Sequence, residues 1–171
     1  MKHFSNNIIF FDTEFTHLDI NKGELLSIGL VKQSGEELYL ELEYEGKEIH
    51  PWVEDHVLPF LTGEQMKKED VRMKLWEFIG DDKPYLMAYV NQFDAMYWYR
   101  LFADPKDHPA FWIPIDFASI LFGQGRDPEE MRKDSFFEEL GIDRSKYKHH
   151  NALEDAKMLR DVYNEFIKMT K

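Results

Sequence analysis

The run Ile8-Ile9-Phe10-Phe11-Asp12-Thr13-Glu14-Phe15 constrains this chain more than any other stretch. Four large apolar residues in succession predict a strand buried on both faces. Side chains alternate along a strand, so Asp12 and Glu14 emerge on one face, at the strand's end. Two adjacent carboxylates repel, and drawing each out of water costs several kcal/mol, roughly, unless something compensates. A hard divalent cation with oxygen ligands is such a compensator. The competing reading is a strand that has ended and released its acids into solvent, so the choice rests on whether the chain brings more carboxylates to the same place.

It offers two. Asp94 opens a helix expected over Gln92–Ala103, on the same face as Tyr97, Trp98, Leu101 and Phe102 and near the carboxyl end of a strand, where open α/β sheets bind ligands. A helix-start acid held by the dipole is its simpler explanation. Asp155 lies in a final helix expected over Asn151–Met169. There Ala152, Leu159, Val162 and Phe166 share its face while Lys157, Arg160, Asp161 and Asn164 take the other. An acid inside an apolar stripe needs a partner, either a salt bridge or a cation shared with Asp12, Glu14 and Asp94. Just ahead of that helix stand His149 and His150, either of which can take a proton near neutral pH. The residues alone do not choose between them.

Between these points the chain reads as alternating elements. Glu24–Lys32 is a second strand, Ser34-Gly35 a hairpin turn, and Leu38–Leu42 a third strand, which together make an antiparallel meander. Glu45–Gly63, with Pro51 and Pro59, is an irregular connection whose apolar residues pack down. A helix over Glu64–Ile79 follows, then a strand at Tyr85–Val90, the helix carrying Asp94, a polar loop over Asp104–Pro109, and an edge strand at Ile113–Asp116 marked by Pro114. Gly123–Pro128 is a loop and Asp127-Pro128 a helix start. Ser135 and Glu138 have the spacing of a capping box, with Gly141 as the stop. The expected architecture is α/β, a mixed five-stranded sheet flanked by helices, in one domain over residues 1–171.

The 171 residues carry 43% hydrophobic and 15% aromatic side chains, enough for a folded core. No apolar run is long enough for a membrane span, and the N-terminal residues lack the pattern of a signal peptide, so no membrane partner and a cytoplasmic location are expected. Cysteine is absent, which excludes disulfides and thiolate metal sites. The formal charge of −12 argues against broad charge-driven binding of a polyanion and predicts a small footprint on any nucleic acid.

Three motifs resemble those of the DEDDh exonuclease superfamily, in order. Phe11-Asp12-Thr13-Glu14 resembles the first, Asn91-Gln92-Phe93-Asp94 the second, and His150-Asn151-Ala152-Leu153-Glu154-Asp155 the third, with histidine five positions before aspartate. Size and surrounding sequence look most like the small bacterial and phage-type 3′-to-5′ exoribonucleases of the RNase T-like group. The resemblance implies an RNase H-like fold and hydrolysis with two Mg²⁺ or Mn²⁺ ions about 4 Å apart. Asp12, Glu14 and Asp155 then hold the first ion, Asp12 bridges to the second, Asp94 supports the site, and His150 rather than His149 is the base. A nucleoside 5′-monophosphate leaves from a single-stranded 3′ end, RNA preferred, and relatives are often homodimers. Substrate contacts implied or suggested are Thr13, Phe15, His17 and Asn91 near the first two motifs, and Lys146 and Lys148 in the basic stretch before the last helix. Phe15 reads equally as a core residue, and the basic stretch as a solvated loop. Family members acting on structured RNA often carry separate basic patches, and this chain has only that short stretch. A DNA exonuclease of proofreading type, a catalytically inert binding module and an acidic cation-binding protein are the rival readings.

Overall fold

The structure, a computed structural model, describes residues 4–46, 48–102 and 106–170. Its centre is β1 (Ile8–Phe15), hydrogen-bonded on one side to β2 (Leu25–Lys32) and on the other to β5 (Tyr85–Ala88). The meander is present: β1 and β2 run antiparallel, as do β2 and β3 (Glu37–Leu42). β5 is parallel to β1, and β6 (Ile115–Asp116) lies parallel to β5 at the sheet edge.

Among the described residues the sheet has six strands, not five. The additional one, β4 (Gln65–Met66), pairs parallel with Glu41 and Leu42 at the other edge. Two residues are too few to show alternation. They also sit where the apolar stripe of the next helix was expected to begin. That helix, α2 (Lys68–Ile79), starts later, and Met66 packs against the same core from the strand.

Alternation along β1 splits the core into two layers. Ile8 and Phe10 pack under the long C-terminal helix, α6 (Ala152–Met169), with Leu159, Val162 and Phe166. Ile9 and Phe11 face the other way, against α2 and α3 (Gln92–Leu101), with Val71, Leu75 and Trp98. Ala103 and Asp104, at the expected end of α3 and the start of the next loop, lie outside the described residues.

Other boundaries moved. The connection after β3 contains a short helix, α1 (Pro51–His56), and a 3-10 turn over Leu58–Phe60. His50 caps α1 by accepting from the Trp52 N–H, and Pro51 starts it. A further helix, α4 (Phe117–Gly123), is capped by Asp116, whose side chain accepts from the Ala118 and Ser119 amides. Asp127-Pro128 leads only to a 3-10 turn at Glu130–Arg132. The capping box does not form: α5 (Asp134–Leu140) already contains Ser135, and the side chain of its N-cap, Lys133, does not cap the helix. Gly141 does end α5, with φ at 69° in the left-handed region.

Candidate active site

The sheet and two helix starts bring four acids to one place. Asp12 and Glu14 leave β1 on the α6 side, opposite Gly29 and Ser27 of β2. Gly29 is the reason α6 can come so close. A Cβ there would lie 2.2 Å from the carbonyl carbon of Ala152 and the amide of Leu153, so only glycine lets the first turn of α6 rest on the sheet. That contact delivers Asp155 beside Asp12 and Glu14.

Each helix start is held by a specific bond. Asn151 caps α6 by accepting from the Glu154 N–H. Immediately before it, His150 takes a left-handed backbone conformation, φ 62°, and donates its N–H to Asp155 Oδ2 at 2.9 Å. Val90, just before α3, is likewise left-handed at φ 58°, unfavourable for a β-branched residue. Asp94 is 5% exposed, and its Oδ1 accepts from the Thr13 N–H at 2.9 Å and the Thr13 hydroxyl at 2.7 Å. So Thr13 orients Asp94. Asn91 is also buried, with its amide donating to the Ile115 carbonyl.

The electrostatics of the cluster are those of anions without counter-ions. Burial holds the Asp12 carboxyl well above its ordinary range, and Asp94, Asp155 and Glu14 push it further. Burial, then Asp155 and Asp94, raise Glu14 to about 8. Burial raises Asp94 to about 7 against the lowering effect of the Thr13 bonds. Burial raises Asp155 to about 6, opposed by the His150 N–H and by His149. Every resolved influence at Asp12 and Glu14 favours the neutral acid. A set of four carboxylates of this kind fits a hard divalent cation. One oxygen each of Glu14 and Asp155 and a ring nitrogen of His150 already lie within 4.8 Å of one another.

Burial, then His149 and His56, lower the His150 pKa, so the ring is neutral near pH 7 and can accept a proton. His149 is near the cluster too, its Nδ1 3.6 Å from Asp155 Oδ1.

The connection after β3, expected only to pack down, forms a wall that closes one side. The Trp52 ring meets the His150 ring edge-on, with centroids 4.7 Å apart, and stacks on His56 at 4.5 Å. Trp52, Val53, Val57 and His50 line a cavity of about 500 Å³ together with Glu14, Phe15, His17 and Leu18. The one local signal was the His-Pro helix start, and nothing in it says which part of the sheet the segment covers. Phe15 both lines this cavity and stacks on Tyr97 at 4.4 Å. The basic stretch is divided. Lys148 lies over the Phe60 ring of the wall segment, whereas Lys146 lines a separate cavity of about 740 Å³ behind α6 and Arg144 bonds Asp134. The latter cavity and one of about 900 Å³ near Trp112 are larger than the site cavity, but none of the four acids lines them.

No protein-family model and no curated protein matches this sequence. Solved structures do match. The crystal structure of a full-length 3′-exonuclease gives a TM-score of 0.68 at 13% identity, covering 95% of this chain and 82% of that one. Exonuclease I gives 0.65 at 14%, and the zinc-bound complex of the E. coli enzyme with single-stranded DNA gives 0.63 at 14%; they cover 95% and 96% of this chain, which spans 40% of theirs. The RNase domain of the yeast Pop2 protein gives 0.52 at 13%, covering 97% of this chain and 79% of that one. The fold is therefore one shared with 3′-exonucleases. Among the described residues no helix is long and apolar enough to cross a membrane.

Proposed function

We propose that this chain is a metal-dependent 3′-to-5′ exonuclease of the DEDDh type, RNase T-like, that removes nucleoside 5′-monophosphates from single-stranded 3′ ends, with RNA preferred over DNA. The observation that carries the reading is the convergence of Asp12, Glu14, Asp94 and Asp155, buried together with only like charge acting on the first two. These four acids would hold two divalent ions, Mg²⁺ or Mn²⁺. When bound, the ions offset the charge of the acids and of the scissile phosphate and favour a nucleophilic hydroxide.

The rest is the work of the chain's own residues. The neutral His150 ring takes a proton from the attacking water at a ring nitrogen, and its peptide N–H holds Asp155. Thr13 keeps Asp94 turned toward the cluster. The cavity between Phe15, His17 and Trp52 receives the terminal nucleotide, with aromatic faces for its base. Lys148, which lies over the Phe60 ring, meets the backbone phosphate. A charge of −12 keeps the footprint short. The same reading takes the protein as cytoplasmic, able to form a homodimer, with residues 1–171 as one exonuclease domain.

The test is direct. Single-stranded RNA and DNA labelled at the 5′ end are incubated with Mg²⁺, Mn²⁺ or EDTA. A metal-dependent ladder shortening from the 3′ end, faster on RNA, is expected. Shortening of DNA alone replaces the RNA reading with a proofreading-type enzyme, and binding without shortening replaces it with an inert module.

A further inference from the structure

We propose that Glu24 and Glu41 are a pair of carboxylate clamps that set the wall segment, residues 48–61, against the acid cluster, and so are positioning residues for substrate binding. This rests on the nuclease reading above. Each acid grips one end of the connection between β3 and α2. Glu24, at the entry to β2, accepts from the amides of Glu45 and Gly46 at 2.8 and 2.9 Å, one on each oxygen. Glu41, on β3, accepts from the amides of Thr62 and Gly63, again one on each oxygen, and from the Tyr39 hydroxyl at 2.9 Å. In both cases the carboxylate satisfies two consecutive backbone donors. A third tie lies between them: the His50 amide donates to the Thr16 carbonyl just beyond β1, and the Thr16 hydroxyl accepts from the Glu24 amide.

The placement of Glu41 argues for a positional role. It is 2% exposed and lies on the sheet face that carries Glu14, because Glu14 pairs with Ser27 and Ser27 with Glu41. Burying a carboxylate is costly, and packing alone favours an apolar residue. Three converging donors offset that cost, and hydrogen bonds to a charged acceptor are the strong kind. Held between the clamps, Val53 and Val57 pack on Leu26 and Trp52 reaches His150. A segment with so little ladder of its own opens unless its backbone donors are held.

The test uses Glu41→Gln and Glu24→Gln, which keep shape but turn an acceptor oxygen into an NH₂ facing an amide. Three quantities are read: amide hydrogen exchange across 48–61 and across α6, Mg²⁺ affinity by calorimetry, and KM and kcat on single-stranded RNA. Exchange in 48–61 should speed about tenfold, as expected for loss of one charge-assisted bond, with α6 unchanged. KM should rise about tenfold, with kcat and Mg²⁺ affinity within roughly threefold of wild type. Unchanged exchange in 48–61 overturns the clamp, and faster exchange with unaltered KM overturns its link to substrate. If Glu41→Gln does not fold, the half-buried Glu24 carries the same comparison. A wild-type chain that hydrolyses nothing refutes the nuclease reading, and with it the substrate role, while the exchange data still decide the clamp.

Discussion

At the end of β1, Asp12 and Glu14 meet other acids, and each neighbouring charge drives them toward the neutral form. Around the start of α5 the opposite holds. Arg126 bonds Glu130 through Nε at 2.6 Å and closes on Glu139 with its other two nitrogens, while Lys133 pairs with Asp127. The Arg126 bonds hold Glu139 below its ordinary range, and the Lys133 bond does the same for Asp127. The Arg126 guanidinium also lies over the rings of Phe136 and Phe166. Both regions are acidic in sequence. One set of acids has been given cations by the chain; at the other, every charge acting on Asp12 and Glu14 is of like sign.

That contrast is breakable, and the largest expected effect is on the uncompensated side. Asp12→Ala or Asp155→Ala should lower turnover by more than about 10⁴-fold, roughly 5 kcal/mol or more of transition-state stabilisation, while circular dichroism stays native. Arg126→Ala should leave kcat and KM alone. A catalytic loss at Arg126 equal to that at Asp12 would dissolve the distinction. Next, His150→Ala should slow hydrolysis by about 10²–10⁴-fold. Normal rates in that variant, with the loss in His149→Ala, would move the base to the neighbouring ring.

Smaller effects concern stability. Gly29→Ala forces α6 away from the sheet and should cost about 1–3 kcal/mol in denaturant unfolding, with weaker metal binding because Asp155 moves too. Arg126→Ala should cost about 1–2 kcal/mol, since the pairs are partly exposed and ring packing is lost with them. The pH dependence of stability is the most discriminating. In EDTA, the folded cluster binds more protons than the unfolded chain from about pH 4.5 up to the Glu14 value of about 8. Unfolding free energy therefore falls as pH rises through that window. Mg²⁺ should reverse the slope, because it binds the deprotonated acids. The lowered acids near α5 act only as pH falls below the ordinary carboxylate range, so a flat melting temperature from pH 5 to 8 in EDTA would mean that the cluster is already compensated.

Much of this arrangement was legible in the chain. Buried strand β1, the shared face of Asp12 and Glu14, and the stripe of α6 around Asp155 all follow from local periods of two and 3.6 residues. The meander followed from alternation and a Ser-Gly turn. Where local signals were thin, the reading slipped. β4 is too short to alternate, so the sheet was one strand too small, and α4 went unread although Asp116 caps it. Ser135 and Glu138 have capping-box spacing, but the helix begins two residues too early for Ser135 to be its cap.

The sequence by itself determined which residues share a face of each strand and helix, and so which acids could leave together. Tertiary structure decided what stands around them. It turned Thr13 to Asp94, sent Lys148 to the wall and Lys146 to a different cavity, and laid Trp52 on His150. The reason is one of range. A periodic pattern encodes the direction of a side chain within its own element, whereas contacts between residues 13 and 94, or 52 and 150, depend on how separate elements pack, and packing has no period to read.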